Sequence, residues 1–245
     1  MKKTIYNPFI LALKARNLTV EIHHHSAYQI VLSNDAPFNS TISGLLHEGI
    51  HGFLIKPHVT HFCEAENGTL NVLNIEPYST IGLELASRFK EDQEYIVFDT
   101  PPETNSFFQT PNDSLDINKL VDALLNKLQS IEYDERVTKI VEYINTNYFR
   151  SDITPQTFAD IVFLSPSRLA SLFKEQTGSS LSKYLLWTRL RQAIYLTLSD
   201  KDRSLTDIAC DTGFYDLPQF NKYMYEMFGM PPKALKYNSD LIQIY

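Results

Sequence analysis

The spacing of apolar residues changes midway along the chain. Between residues 18 and 77 they fall in short runs: LTVEI (18–22), YQIVL (28–32), FNSTISGLL (38–46), HGFLIKP (51–57) and TLNVLNIEP (69–77). The intervening groups SNDAP, HEG and AENG carry turn-forming Asn, Asp, Gly and Pro. Apolar runs of this length between turn signals predict strands. Strands so closely spaced predict an antiparallel β-barrel of jelly-roll type. After Pro77 the pattern becomes helical in IGLELASRFKE, and residues 99–113 read as a loop. In residues 114–130, Leu115, Leu120, Leu124 and Leu128 recur near helical spacing, with Asp113 and Ser114 as caps. That stripe must be covered, either by the barrel or by its copy in a homodimer.

From Glu135 onward the period stays helical. ERVTKIVEYINTNY puts Val137, Ile140, Val141 and Ile144 on one face. ITPQTFADIVF and LSPSRLASLFKEQTG each begin with a hydroxyl cap followed by proline: Thr154 with Pro155, and Ser165 with Pro166. A capping oxygen accepts a free first-turn N–H, and proline has no N–H to leave unpaired there. Gly178 marks a stop. A long helix follows from Leu181 to about Leu198, then a second short-helix, turn, helix pattern in SLTDIACDTGF and YDLPQFNKYMYEMFG. Ser204-x-x-Asp207 has the form of a capping box, and Asp216 is the next cap. A short helix, a turn and a second helix with polar exposed residues are the features of a helix-turn-helix. The predicted class is therefore α+β in two domains. Residues 1–98 form the barrel with its following helix, 99–132 a loop and dimerisation helix, and 133–245 an all-α domain.

Composition excludes other classes. With 245 residues, 43% hydrophobic and 21% charged, the chain is neither disordered, collagenous nor a coiled-coil rod. Two distant cysteines, Cys63 and Cys210, make no disulfide framework and fit a reducing, cytoplasmic compartment, both being read as buried small hydrophobes. The apolar stretch from Pro8 to Leu13 is too short for a secretion signal, and no run could span a bilayer, so no membrane partner is expected.

Charge and histidine are segregated. The net charge of −7 lies wholly in residues 1–132, while 133–245 balance to zero. Within the latter, residues 165–195 hold Arg168, Lys174, Lys183, Arg189 and Arg191 against Glu175 alone. A local basic patch can meet phosphates whatever the net charge; it can equally be a solvated helix face. All seven histidines lie between His23 and His61.

HHHSAYQIVLS followed by LIKPHVTHFCEAENGTLNVLNIEP is similar to the cupin and sugar-sensor domains that precede regulatory DNA-binding domains. The matching positions are His23-x-His25 and Pro57-x-x-x-His61. Metal-binding cupins add a Glu shortly after the first pair; here the nearest polar residue is Gln29, and the glycine-rich turns are missing. Three readings of the cluster stay open. His23, His25, Tyr28 and His61 can hydrogen-bond a small organic ligand. His23, His25 and His61 can hold a divalent transition metal, which imidazoles suit. Or the cluster is structural. His24 should point away from its neighbours, because side chains alternate along a strand. His47, His51 and His58 fit turns or rims.

SPSRLASLFKEQTG, YLLWTRLRQA and DIACDTGFYDLPQFNKYMYEMFGMPP, in that order and spacing, resemble the AraC/XylS family DNA-binding domain over residues 134–238. The resemblance implies two helix-turn-helix units, joined by the long helix, entering successive major grooves of double-stranded DNA. It places Pro166, Ser167, Ala170 and Ser171 in the first reading helix and Leu217, Pro218, Asn221 and Lys222 in the second, with Arg168, Lys174 and Lys222 on phosphates. The chain departs from the family where Ala170 and Ser171 are too short for bidentate base contacts. Tyr225 and Glu226 also stand where relatives have a basic pair. Phe214, Phe220, Phe228 and Trp187 are expected in the core. A non-enzymatic transcription regulator is the implied function, with a small-molecule or metal effector, a homodimer through 114–130 and RNA polymerase as a further partner. The competing reading is a metal-dependent cupin enzyme fused to a DNA-binding tail.

Overall fold

A computed structural model describes residues 10–16, 19–33, 35–64, 68–77, 79–102, 133–177, 179–237 and 242–244. The 114–130 helix with its caps Asp113 and Ser114, residues 103–113 of the expected loop, the Gly178 stop and residues 8–9 of the first apolar stretch lie outside these residues. Contacts divide the chain into two units, one of residues 1–129 with 225–230 and 237–245, the other of residues 130–224 with 231–236.

Among the described residues the first unit contains ten strands: β1 (Ile10–Arg16), β2 (Thr19–His23), β3 (Tyr28–Ser33), β4 (Phe38–Ile42), β5 (Leu45–Ile50), β6 (Gly52–Ile55), β7 (His61–Glu64), β8 (Thr69–Ile75), β9 (Tyr95–Phe98) and β10 (Ile242–Ile244). They form two antiparallel sheets, ordered β10-β1-β8-β3-β6-β9 and β2-β7-β4-β5, and the expected jelly-roll barrel is not closed. Helix α1 (Thr80–Ser87), capped by Ser79 Oγ accepting from Gly82 N–H at 3.0 Å, packs on the larger sheet. That sheet is buried on both faces, so β3 and β8 are solvent-shielded at every position and read as continuous apolar runs. On β3, Tyr28, Ile30 and Leu32 enter the cluster under α1, with Leu73 and Ile75 of β8. Val31 faces the other way, into a core shared with Val20, Phe38, Ile42 and Cys63 of the smaller sheet.

Two local features escaped the hydrophobic pattern. Residues 38–46 form a hairpin, not one strand. Ser43 and Gly44 both have positive φ, at 50° and 78°, matching the twist that a two-residue hairpin needs, so HEG lies within β5. In β2 the pairing with β7 slips between Val20 and His23. Val20 pairs with Cys63 and His23 with His61, which leaves one extra residue in β2. Such a bulge reverses the inward face of a strand. Ile22 is consequently 64% exposed and His23 is buried. Within this same unit, Glu21 N–H donates to Gly229 O at 3.2 Å and His24 N–H to Glu226 O at 3.3 Å.

The helical region holds α2 (Glu135–Asn147), α3 (Pro155–Ile161), α4 (Pro166–Thr177), α5 (Leu181–Ser199), α6 (Leu205–Asp211), α7 (Leu217–Phe228) and α8 (Pro232–Tyr237). Thr154 and Thr157 make a capping box on α3. Ser204 Oγ accepts from Asp207 N–H at 3.0 Å, but the Asp207 carboxylate takes the Ser204 hydroxyl and not the cap's backbone N–H. Helix α5 is unbroken for 19 residues and buried on most sides, Trp187 included, because α2, α4 and α6 pack around it. Phe214, Phe220 and Phe228 are also core, whereas Cys210 is exposed on α6, contrary to expectation; only Cys63 is buried.

The turns of the two helix-turn-helix units use the left-handed region at equivalent positions, Phe163 with φ 55° and Gly213 with φ 87°. A Cβ at Gly213 would stand 2.6 Å from Tyr148 O and 2.7 Å from Arg189 Nε. Phe163 is 94% exposed and so gains no packing to offset its strained backbone. Phe163→Gly should therefore stabilise the domain by about 1 kcal/mol, and Gly213→Ala should destabilise it by about 1–3 kcal/mol. Urea midpoints of the two variants, shifting in opposite directions, check this.

Candidate nucleic-acid interface and histidine cluster

Helix α4 separates its residues cleanly. Leu169 and Phe173 are fully buried, while Ser167, Arg168, Ala170, Ser171 and Lys174 are on the open side and Pro166 sits at the helix start. Ser165 caps weakly, its Oγ 3.4 Å from Arg168 N–H, and the Ser171 hydroxyl donates back to Ser167 O at 3.1 Å. Arg136, Ser165, Ser167, Arg168 and Ser171 line one shallow groove on this face. Helix α7 repeats the design. Phe220 and Met224 are buried, while Pro218 and Lys222 are exposed and Leu217 and Asn221 are half-buried. Asp216 Oδ1 accepts from Gln219 N–H at 2.8 Å, and Gln219 Oε1 accepts from Tyr215 N–H at 2.9 Å, fixing the start of the helix. The Lys222 ammonium lies 5.7 Å from the Tyr223 ring centroid.

Two members of the basic segment do not belong to its surface. Arg189 donates to Tyr148 O at 2.8 Å and to Arg150 O at 2.7 Å, so it closes the carbonyl end of α2. Its partial burial lowers the guanidinium pKa. Arg191 is 1% exposed beside Asn145. Both sit on α5 among packed helices, where a guanidinium must direct its donors internally. Arg168, Lys174 and Lys183 remain exposed cations of that segment.

The histidines gather between the two sheets of the first unit. His23 closes β2, His61 opens β7 opposite it, and His25 follows two residues after His23. All three are buried, and one ring nitrogen from each lies within 4.8 Å of the others. Ring centroids are 4.2 Å apart for His23 and His61, and 5.1 Å for His25 and His61. Phe53 meets His61 edge-on at 5.9 Å. His58 N–H donates to His25 O at 2.7 Å and ties down the loop. Burial strips water from the imidazolium form and lowers His23 to about 4 and His25 to about 3; neighbouring rings push His25 and His61 further, leaving His61 well below its usual value.

Tyr28 does not join them. Its ring turns to the α1 side, 6.1 Å from Phe89, because β3 alternates and Tyr28 shares parity with Ile30. Gln29, one residue on, takes the inner side instead. Its amide donates to Asn74 Oδ1 at 3.0 Å, and its side chain lies near enough to His25 to influence that ring. His24 is exposed, as alternation requires, with its ring 6.4 Å from that of His58. His47 lies in β5 and not in a turn. Sequence spacing had no means of selecting Gln29 over Tyr28, since the choice rests on which side of β3 faces the smaller sheet.

A family described as a helix-turn-helix domain matches residues 158–237. YobQ of Bacillus subtilis, named as an uncharacterized HTH-type transcriptional regulator, is 31% identical over 120 residues, covering 49% of this chain and 47% of that protein. The arabinose operon regulatory protein of Escherichia coli is 29% identical over 131 residues, 51% of this chain and 44% of that one. The matches thus span less than half the length of these relatives. An apo point variant of ToxT from Vibrio cholerae shares the fold with a TM-score of 0.59 at 11% identity, covering 95% of this chain and 98% of that one. Among the described residues no helix is long and apolar enough to cross a membrane.

The buried rings make stability acid-sensitive. Below pH 6.5 the unfolded chain takes up protons that the folded rings refuse. Stability is therefore complete above pH 6.5 and declines as pH falls towards about 4, where His23 itself titrates. Each refused proton contributes about 1.4 kcal/mol per pH unit. Urea midpoints of chelator-treated protein between pH 7.5 and 5 should show this fall, and His25→Gln should make it shallower.

Proposed function

We propose that this chain, whose helix-turn-helix domain is similar to those of AraC-type regulators, is a sequence-specific DNA-binding transcription regulator whose first unit receives a small-molecule or metal signal. The observation that carries the reading is the paired design of α4 and α7. Each has a buried apolar stripe backed by an exposed face of short and polar side chains, and each follows a tight turn. They flank one continuous helix. At 1.5 Å per residue α5 is about 28 Å long, and successive major grooves lie about 34 Å apart. The helix with the thickness of its flanking units can bridge that span.

In this reading Arg168, Lys174 and Lys222 neutralise phosphates and set register. Asn221 offers the paired donor and acceptor that adenine presents in the major groove. Ala170 presents a methyl suited to thymine, and Ser167 and Ser171 present hydroxyls that accept or donate to either strand. Pro166, Leu217 and Pro218 bring the helix starts close to the groove. With few long side chains to read bases, DNA shape contributes much of the specificity. Two copies held together by the 114–130 helix would raise affinity through effective concentration. RNA polymerase would be the further partner of an activator. An enzymatic first unit is not favoured. The relatives named above are transcription regulators.

Full-length protein should enrich a discrete DNA motif from a random duplex library. On that motif Asn221→Ala and Lys222→Ala should each cost about 1–3 kcal/mol, and Lys222→Ala or Lys174→Ala should lower the slope of log affinity against log salt by about one. Gel-shift titrations at several salt concentrations measure both. Unchanged affinity in every variant would remove α4 and α7 as the reading helices.

A further inference from the structure

Three imidazoles buried together present a problem of hydrogen bonding. His23 Nδ1 lies 2.8 Å from Glu21 O, His25 Nδ1 3.0 Å from Ala27 O, and His61 Nδ1 3.0 Å from Val59 O. A carbonyl oxygen can only accept. Each Nδ1 must therefore carry the proton, and each neutral ring has its lone pair on Nε2. The main chain thus imposes one tautomer three times over. His61 Nε2 is buried without a hydrogen-bond partner. Lone pairs brought together in a dry interior repel one another and lack the water they had in the unfolded chain.

One class of ligand resolves all of this at once. A metal ion accepts lone pairs, and ligating histidines characteristically give their other N–H to a carbonyl or carboxylate. The arrangement here has that form at every ring. The spacing also fits. A tetrahedral ion with Zn–N of 2.0–2.1 Å sets its nitrogens about 3.3 Å apart, so the group, already within 4.8 Å, needs only modest closure. The strands preset it: the β2 bulge turns His23 inward across from His61, and His58 N–H holds the His25 carbonyl. An all-imidazole set favours borderline ions over the hard cations Mg²⁺ and Ca²⁺, which require oxygen donors.

We propose that His23, His25 and His61 form a binding site for one divalent transition ion of the zinc class, with the fourth coordination position open to water or a small anionic ligand. This names the signal class for the regulator reading, and it rests on that reading only for its consequence on DNA.

The test uses untagged, full-length, chelator-treated protein titrated with Zn²⁺ and Co²⁺, and with Mg²⁺ as control. One ion per chain, a visible Co²⁺ absorption band of a nitrogen-ligated site and a raised melting temperature are expected, with no response to Mg²⁺. His23→Gln and His61→Gln should each weaken Zn²⁺ binding at least 100-fold, while His24→Gln, altering an exposed neighbour, should leave it unchanged. Circular dichroism of the metal-free variants establishes that they fold; should one not fold, the other and the Co²⁺ spectrum of the unaltered chain decide. No saturable 1:1 binding, or equal binding in the His23 and His61 variants, overturns the site. The DNA arm is separate: gel shifts with and without Zn²⁺ on the selected motif. Metal binding with no DNA binding in either state would refute the regulator reading and leave the site standing. DNA binding without metal binding would do the reverse.

Discussion

A polar group taken out of water must find a partner, and this constraint shapes both units of the molecule. In the helical unit Arg189 gives its donors to Tyr148 O and Arg150 O, closing the end of α2 from a neighbouring helix. Thr177, Thr188, Thr197 and Thr212 return their hydroxyls to carbonyls of their own helices. In the sheet unit Gln29 answers Asn74, and three imidazoles answer three carbonyls. In the last case each lone pair is left on Nε2, and that of His61 is buried without a hydrogen-bond partner. The same rule that makes the rest of the interior stable therefore marks the histidine cluster as a place where a ligand belongs.

Side-chain parity decides who reaches that place. Successive residues of a strand face opposite ways, so one extra residue in β2 exchanges Ile22 for His23 on the inner side. On β3 the same alternation sends Tyr28 towards α1 and Gln29 towards the histidines. Burial of both faces hides this from the hydrophobic pattern, since YQIVL is apolar on either side.

The helical unit shows the opposite case. Its caps, prolines and apolar stripes are local, and the structure places α3, α4, α6 and α7 where those signals put them. Even the difference between the two turns is local: glycine occupies the left-handed position in one, phenylalanine in the other. What failed locally was charge. Arg189 and Arg191 count as cations in the sequence, yet their sites on α5 face other helices, and they serve the interior.

By itself the sequence determined the helix order, the buried apolar stripes of α4 and α7, and the confinement of histidine to the sheet unit. Each of these depends on neighbours within a few residues, through capping, periodicity or composition. Only the tertiary structure decided that the strands make two sheets without closing the barrel, that Ser43 and Gly44 turn a hairpin, and that Cys210 is exposed while Cys63 is buried. It placed His61 against His23 and His25, a grouping already expected from their spacing, and it alone set Tyr28 aside. Those outcomes depend on strand register and on which face of a sheet meets which partner, and register is a relation between segments that no single segment encodes.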